Sequence, residues 1–167
     1  YKNLYMDKIG KKARFANNYL SNLDIKKKNA VLKQFATYFK TYSKNILKAN
    51  QKDILKAKEI KSSMLDRLKL DNKKINQIIK SVKKIINFKD PVGKTLSSWR
   101  RPNKLVIKKV SIPIGVIGII YESRPNVTAD VSSLCFKSGN AVILKGGSEA
   151  FYSNKILSDL FRKALKN

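Results

Sequence analysis

Two short apolar runs near the end of the chain constrain its fold more than any other feature. They are "GVIGIIYE" at residues 115–122 and "NAVILKGG" at residues 140–147, each bounded by polar residues. Runs of this kind are typical of strands that are buried on both faces of a parallel sheet. Helical patterns follow each run, so the order is strand, helix, strand, Gly-Gly, helix. This order predicts an α/β fold, the first half of a doubly wound parallel sheet of the Rossmann-like kind.

The helix between the two runs is predicted from "TADVSSLCFKSG" at residues 128–139. Thr128 is a candidate N-cap, and Gly139 stands at the C′ position, where left-handed backbone geometry ends a helix. The segment "SEAFYSNKILSDLFRKALKN" predicts the last helix, with Ser148 as its candidate N-cap. The helix faces are core candidates: Val131, Leu134, Cys135 and Phe136 in the first, and Phe151, Ile156, Leu160, Phe161 and Leu165 in the second.

The first hundred residues are predicted to be mainly helical. "NAVLKQFATYFKTYSKNILKAN" places apolar residues three and four apart over residues 31–46, and "DNKKINQIIKSVKKIINFKD" does the same over 75–86, with Asp71 as N-cap. Pro91, Gly93 and Pro102 predict a loop over residues 90–104, and "KLVIKKVSI" predicts a partly exposed strand. We therefore divide the chain into an N-terminal helical region, 1–104, and an α/β region, 105–167.

The charge of the chain is strongly positive. It has 37 Lys and Arg against 11 Asp and Glu, a formal net charge of +26. A basic surface gains affinity for nucleic acid by releasing counterions from phosphates. Here the cations are mostly lysine, spread through the helical half, and Phe35 and Phe39 lie on an apolar stripe rather than among them. A solvated lysine-rich surface is therefore the interpretation we favour, and nucleic acid is not the expected partner.

The absence of histidine excludes the usual general base and most zinc sites. Cys135 is the only cysteine, so an internal disulfide and a cysteine metal cluster are excluded as well. The longest apolar run is far shorter than the roughly 20 residues that span a bilayer. The first residues do not resemble a signal peptide, and a cytoplasmic location is expected.

Two loops are the candidate ligand-binding segments, because ligands of open parallel sheets bind at the carboxyl ends of the strands. They are "YESRPNVTAD" after the first strand and "KGGSEA" after the second. Each leads into a helix, whose N-terminus attracts phosphate. The G-x-G-x-x-G fingerprint is absent, since Gly115 and Gly118 lie within the first strand. The residues alone favour a nucleotide site without specifying it.

Taken together, residues 113–150, "PIGVIGIIYESRPNVTADVSSLCFKSGNAVILKGGSEA", resemble the signature region of the gamma-glutamyl phosphate reductase family, within the aldehyde dehydrogenase superfamily. Upstream, "NQKDILKAKE", "LDRLKLDNKKINQI" and "WRRPNKLVIKKVSIPIGVIG" follow the family pattern in order. The resemblance covers essentially the whole chain, as an N-terminal portion only.

This resemblance implies an oxidoreductase of proline biosynthesis. The expected reaction is the NADPH-dependent reduction of L-glutamate 5-phosphate to L-glutamate 5-semialdehyde, with release of phosphate. A cysteine thiolate attacks the acyl phosphate, and an oxyanion site stabilises the tetrahedral intermediate. The resemblance also implies a homo-oligomer when full length, and glutamate 5-kinase as a further partner.

The family motifs assign roles to residues of the two loops. Asn126 matches the asparagine whose side-chain amide donates to the oxyanion. The expected NADP-binding residues are Tyr121, Glu122, Lys145, Gly146, Gly147 and Ser148, with Glu149 beside Ser148 at the start of the next helix. Arg124 and Ser123 are expected to meet the substrate or its phosphate. Each has a plainer interpretation as a turn, cap or solvated residue.

Cys135 is not the expected nucleophile, because it lies on the apolar face of its helix, where a cysteine packs as a small hydrophobe. The family's nucleophile belongs to a later catalytic domain, so we expect this chain to be a fragment that is inactive alone. The alternative function is a basic helical binding module for RNA or an acidic partner.

Overall fold

A computed structural model describes residues 4–57 and 61–166. Seven α-helices, four strands and one 3₁₀ turn make up this part of the chain. The helices are α1 Leu4–Leu20, α2 Ile25–Thr41, α3 Ser43–Lys56, α4 Ser62–Leu68, α5 Asn72–Ile86, α6 Pro125–Lys137 and α7 Phe151–Ala164. The strands are β1 Thr95–Arg100, β2 Val106–Val110, β3 Val116–Tyr121 and β4 Ala141–Gly146, and the 3₁₀ turn is Ser148–Ala150. The predicted α/β class, with N-terminal helices and parallel strands, is confirmed.

The hydrophobic core lies between helices rather than under a sheet. Helix α2 contributes Leu32, Phe35 and Phe39, and α5 contributes a full apolar stripe that includes Val82. Helices α6 and α7 close this core with Phe136 and Leu157. The predicted stripes of α2, α3 and α5 are therefore core faces. In α6 and α7 the prediction was wrong for Leu134, Phe151 and Leu165, which lie on the solvent side of their helices and are 45%, 57% and 46% exposed. The stripe predicted across residues 31–46 belongs to two helices, because α2 ends at Thr41 and α3 begins at Ser43.

Helix α5 begins where the sequence predicts. The Asp71 carboxylate accepts a hydrogen bond from the Lys74 backbone N–H at 2.6 Å, which satisfies one of the free donors of the first turn. Gly139 follows α6 with φ +73°, which confirms its predicted left-handed position. A Cβ there would also press on Pro113 and Val92, at 3.0 and 3.2 Å.

Residues 90–104 are not only a loop, and this prediction was wrong in part. Strand β1 pairs antiparallel with β2, with Ser98 opposite Lys108 and Trp99 opposite Ile107. Pro102 and Lys104 lie in the turn between the two strands, and Lys104 has a positive φ of 67°. Pairing with the next strand of the hairpin decides such a segment, and local composition does not reveal it. The hairpin straddles the predicted boundary at 104/105, which stays a prediction.

Strands β3 and β4 form the parallel pair that the sequence predicts. Their register is continuous from Val116 opposite Ala141 to Tyr121 opposite Gly146. The prediction that β3 is buried on both faces is wrong for this chain, because its exposure alternates along the strand and Ile120 is 84% exposed. The described residues cover only one face of β3, so every second side chain lies in solvent.

The two predicted N-caps in the α/β region were also wrong. Helix α6 already begins at Pro125, whose fixed φ and missing N–H suit the first turn, so Thr128 lies inside the helix. Ser148 is part of the 3₁₀ turn and does not cap α7. Instead the buried Asp53 of α3 accepts hydrogen bonds from the backbone N–H groups of Tyr152 (2.9 Å) and Ser153 (2.7 Å).

Two lysines are buried, against the expectation of an entirely solvated lysine surface. Lys28 is 1% exposed and forms an ion pair with Asp90 at 3.1 Å. Lys137 donates to the Asn29 side-chain oxygen at 2.6 Å and to the Ile86 carbonyl at 2.9 Å. Each lysine therefore joins segments that are distant in sequence. None of the described helices is long and apolar enough to cross a membrane.

Candidate functional site

The two predicted ligand-binding loops lie side by side at the carboxyl ends of β3 and β4. Tyr121 and Gly146 are direct partners in the parallel register, so the loops that follow them leave the same edge of the sheet. The first loop leads into α6, and the second passes through the 3₁₀ turn into α7. The candidate site residues at 121–126 and 145–149 are therefore brought together.

Glu149 connects the two loops. Its carboxylate accepts hydrogen bonds from the Ser123 backbone N–H at 2.6 Å and from the Ser123 hydroxyl at 2.9 Å. Ser123 is 2% exposed and has a φ of +37°, a conformation that a non-glycine residue adopts only when its surroundings hold it there. The Ser123 hydroxyl, predicted to meet substrate or phosphate, is thus already used within the protein.

The environment of Glu149 favours its ionised form. Burial acts to raise the pKa of this carboxyl. Hydrogen bonds from its own backbone N–H and from both donors of Ser123 oppose burial and outweigh it, so the pKa of Glu149 lies below its ordinary value. A fixed negative charge consequently lies between the two loops.

A second network lies beneath Gly146. The Thr128 hydroxyl donates to the Asn154 side-chain oxygen at 2.9 Å, and the Tyr121 hydroxyl lies 2.5 Å from the same Thr128 oxygen. Because a threonine hydroxyl has one hydrogen, the Tyr121 hydroxyl is the donor in the second bond. Burial raises the pKa of the Tyr121 phenol. Tyr121 is therefore directed toward α6 and α7.

Gly146 and Gly147 leave room for side chains of the protein itself. A Cβ on Gly146 would overlap the Asn154 amide and approach the Tyr121 ring at 3.2 Å. A Cβ on Gly147 would overlap the Glu149 carboxylate. Neither residue has a positive φ. The close packing of the two networks is thus sufficient reason for glycine at both positions.

Other predicted site residues keep their side chains available. Lys145, Glu122, Arg124 and Ser148 are exposed. Asn126 is partly buried in the first turn of α6, and its side-chain amide forms no hydrogen bond within the described residues. An amide held at the start of a helix and without a protein partner suits the predicted role of oxyanion donor.

Cys135 lies away from these groups, on the buried side of α6. The side chain is 6% exposed, and burial raises the pKa of its thiol. A nucleophilic cysteine requires the opposite, an accessible thiol with a lowered pKa. The expectation that Cys135 packs as a small hydrophobe agrees with this environment.

Sequence reasoning missed the partners that fix the loops. Glu149 was seen only as a helix start, and Asn154 and Thr128 were given no role at the site. Their contacts join residues 7 to 26 positions apart, across β3, α6, β4 and α7. The paired glycines were an indirect signal, because they mark positions where other groups approach the backbone closely.

The fold is that of the aldehyde dehydrogenases. A solved NAD-dependent benzaldehyde dehydrogenase from Corynebacterium glutamicum superposes with a TM-score of 0.65 at 18% identity. The superposition covers 91% of this chain and 31% of that one. At this level of identity the similarity concerns the fold alone.

Within this class, the chain is homologous to the gamma-glutamyl phosphate reductases, which confirms the resemblance seen in the sequence. It is 45% identical to the reductase of Listeria welshimeri over 161 residues, which is 95% of this chain and 39% of that protein. The crystal structure of the Thermotoga maritima reductase superposes with a TM-score of 0.90 at 46% identity, covering 93% of this chain and 38% of that one. The chain thus spans about two fifths of the length of these relatives, and the similarity is to their N-terminal portion. No protein-family model matches it.

Proposed function

We propose that this chain forms one side of the cofactor and oxyanion site of a gamma-glutamyl phosphate reductase. The reaction would be the NADPH-dependent reduction of L-glutamate 5-phosphate to L-glutamate 5-semialdehyde and phosphate, in proline biosynthesis. One observation carries the proposal: two loops that resemble the family's signature leave the same edge of a parallel strand pair and are joined by Glu149. Identity of 45–49% to reductases over most of the chain supports it.

The residues of the second loop fit a nicotinamide dinucleotide. Lys145 is exposed beside the Gly146–Gly147 turn, where a cation can meet a ribose hydroxyl or a 2′-phosphate. Arg124, exposed at the start of α6, offers a guanidinium to phosphate oxygens. When bound, NADPH would supply the hydride, and Glu149 would hold the two loops at a fixed separation.

Asn126 would stabilise the negative charge that develops on the substrate's carbonyl oxygen. Its amide is neutral, needs no deprotonation and has no partner among the described residues. Cys135 does not suit the nucleophile of this reaction, because it is buried and its thiol pKa is raised. We therefore assign the attacking thiolate to reductase polypeptide outside this chain, and we expect this chain alone to be inactive.

The cofactor part is tested by titrating the chain with NADPH and with NADH, following nucleotide fluorescence. Lys145→Gln should weaken NADPH binding about tenfold, as expected for loss of one charged contact. The matched control is Lys109→Gln, an exposed lysine of β2, which should leave affinity unchanged. An affinity equal for both nucleotides would refute the 2′-phosphate contact, and no binding of either would refute the site.

The catalytic part is tested with L-glutamate 5-phosphate, by following phosphate release and NADPH oxidation. The chain is assayed alone and together with the C-terminal portion of the Thermotoga maritima reductase. Turnover is expected only in the combination, and Asn126→Ala should lower it about 10²- to 10³-fold. Turnover by the chain alone would show that the nucleophile lies within it.

We also propose the cytoplasm as the location, a homo-oligomer as the complete enzyme, and glutamate 5-kinase as the source of its substrate. The kinase assignment follows from the chemistry of an acyl phosphate, which must be formed by phosphoryl transfer to a carboxylate.

A further inference from the structure

Helix α3 carries lysine at every fourth position, a feature unrelated to the loops at the sheet edge. These residues are Lys44, Lys48, Lys52 and Lys56, all exposed. Successive members are about 6 Å apart along the helix axis, and the row extends over about 18 Å. Neighbours at this spacing lie on the same side of a helix, one above the other.

The middle of this row faces a groove between α3 and α7. The groove has a volume of about 280 Å³. Lys48 and Lys52 line it from α3, and Tyr152 and Lys155 line it from α7. Its floor includes the small or apolar residues Ala49 and Ile156.

An aromatic pair lies at one end of the groove. The Lys56 ammonium donates to the Tyr152 hydroxyl at 2.8 Å, and the ammonium groups of Lys56 and Lys52 lie 4.8 and 5.6 Å from the centre of the Tyr152 ring. Phe151 contacts Tyr152 edge to face and is 57% exposed. Lysines and aromatic rings are thus interleaved on this surface.

No ion pair in the described part of the chain neutralises the positive charge of the row. The ion pairs among residues 4–57 and 61–166 involve none of the four lysines. The nearest α3 carboxylate, Asp53, is buried and used to cap α7. Asp159 is paired with Lys155 and Arg162. Like charges at i and i+4 repel each other and destabilise a helix, so the row favours an external polyanion.

We propose that the α3–α7 groove binds single-stranded nucleic acid. Phosphates would follow the lysine row, whose 6 Å spacing is on the scale of successive phosphates in an extended strand, while a base would stack on Phe151 or Tyr152. Compact ammonium groups recognise phosphate without reading sequence, so the site is non-specific. This inference is independent of the proposed function.

The groove differs from a second lysine-lined depression between α2 and α5. That one has Lys33, Lys40 and Lys83 but no aromatic side chain in its lining. The combination of cations with aromatic rings favours a nucleic-acid strand over an acidic peptide, which would need only the cations.

The test uses the 167-residue chain and a fluorescein-labelled oligouridine of 12 nucleotides, followed by anisotropy at several salt concentrations. Lys48→Gln with Lys52→Gln should weaken binding at least tenfold and lower the slope of log affinity against log salt by about 1.4, two contacts at roughly 0.7 each. Lys80→Gln with Lys84→Gln is the matched control, an exposed i,i+4 pair on α5 outside both grooves. Equal losses in both double variants would overturn the site in favour of general surface charge.

Tyr152 separates stacking from charge. Tyr152→Leu should weaken binding about tenfold, whereas Tyr152→Phe, which retains the ring, should bind like the original chain. Circular dichroism establishes that each variant is folded. Equal binding by the Leu and Phe variants, or poly-glutamate competing as well as oligouridine at equal charge, would overturn the nucleic-acid assignment.

Discussion

At the scale of single residues, the Glu149 carboxylate holds the strained backbone of Ser123. Glu149→Gln replaces a charged acceptor with a neutral one and should lower the free energy of unfolding at pH 7 by about 1–2 kcal/mol. Urea denaturation followed by circular dichroism measures this loss. Glu122→Gln, an exposed glutamate of the other loop that has no such hydrogen bonds among the described residues, is the control and should be neutral.

The comparison of Glu149→Gln with the original chain also predicts that the difference in their free energies of unfolding depends on pH. The folded pKa of Glu149 lies below its model-compound value of 4.5, so the unfolded state binds the proton first as pH falls. The contribution of ionised Glu149 to the free energy of unfolding is fully present above pH 4.5 and is lost as the pH falls through the folded pKa. The difference in unfolding free energy between Glu149→Gln and the original chain should therefore shrink in acid. A difference that stays constant from pH 7 to pH 3 would contradict it.

Glycine substitutions distinguish packing from backbone freedom. Gly146→Ala places a methyl group against Asn154, which Thr128 holds in place, and should cost about 1–3 kcal/mol. Gly118→Ala, in the neighbouring strand, meets nothing within 4 Å and should be neutral or slightly stabilising. Thermal unfolding of both variants measures the contrast, and equal shifts in Tm would show that the Asn154 side chain moves aside freely.

At the scale of elements, the start of α7 depends on α3. Asp53→Ala would leave two backbone donors in a buried place without an acceptor and should cost about 2–4 kcal/mol. Asp71→Ala removes a solvent-exposed cap of α5 and should cost about 1 kcal/mol. Denaturant unfolding of the two variants should rank them in this order. The reverse order would mean that water replaces the Asp53 carboxylate.

Local sequence predicted the elements that are stabilised locally. Asp71 and Gly139 were identified because a cap and a left-handed turn depend on adjacent backbone. The Asp53 cap was missed because its backbone donors lie 99 and 100 residues further along the chain. Strand β1 was missed because Gly93 and Pro102 on either side of it favour a loop, although the segment pairs with the next strand. The sequence also predicted the two loops of the candidate site, and the roles of their residues stay predictions. It did not predict the Glu149–Ser123 contact, which arises from the fold.

At the scale of the whole molecule, one face of β3 is an apolar surface in solvent. Ile120 of β3 is 84% exposed, and Ile112 and Ile114, in the segment that leads into β3, are 82% and 85% exposed. Such a surface promotes self-association through apolar contacts. Ile114→Lys with Ile120→Lys should reduce self-association of this chain with no loss of unfolding free energy, as measured by sedimentation velocity and urea denaturation. The control is Leu4→Lys, at an exposed position on α1, which should change association little.

The hydrogen bonds by which Asp53 caps α7 also affect the rate at which the chain folds. Asp53 and Ser153 are 100 residues apart, so the first turn of α7 acquires its acceptor only after a large loop has closed. Contacts of such sequence separation slow folding relative to helical proteins whose contacts are local. During synthesis α3 is made long before α7, so the Asp53 carboxylate has no α7 backbone donors until residues 152 and 153 have been added. The contact between α3 and α7 therefore forms late, after α7 has been synthesised.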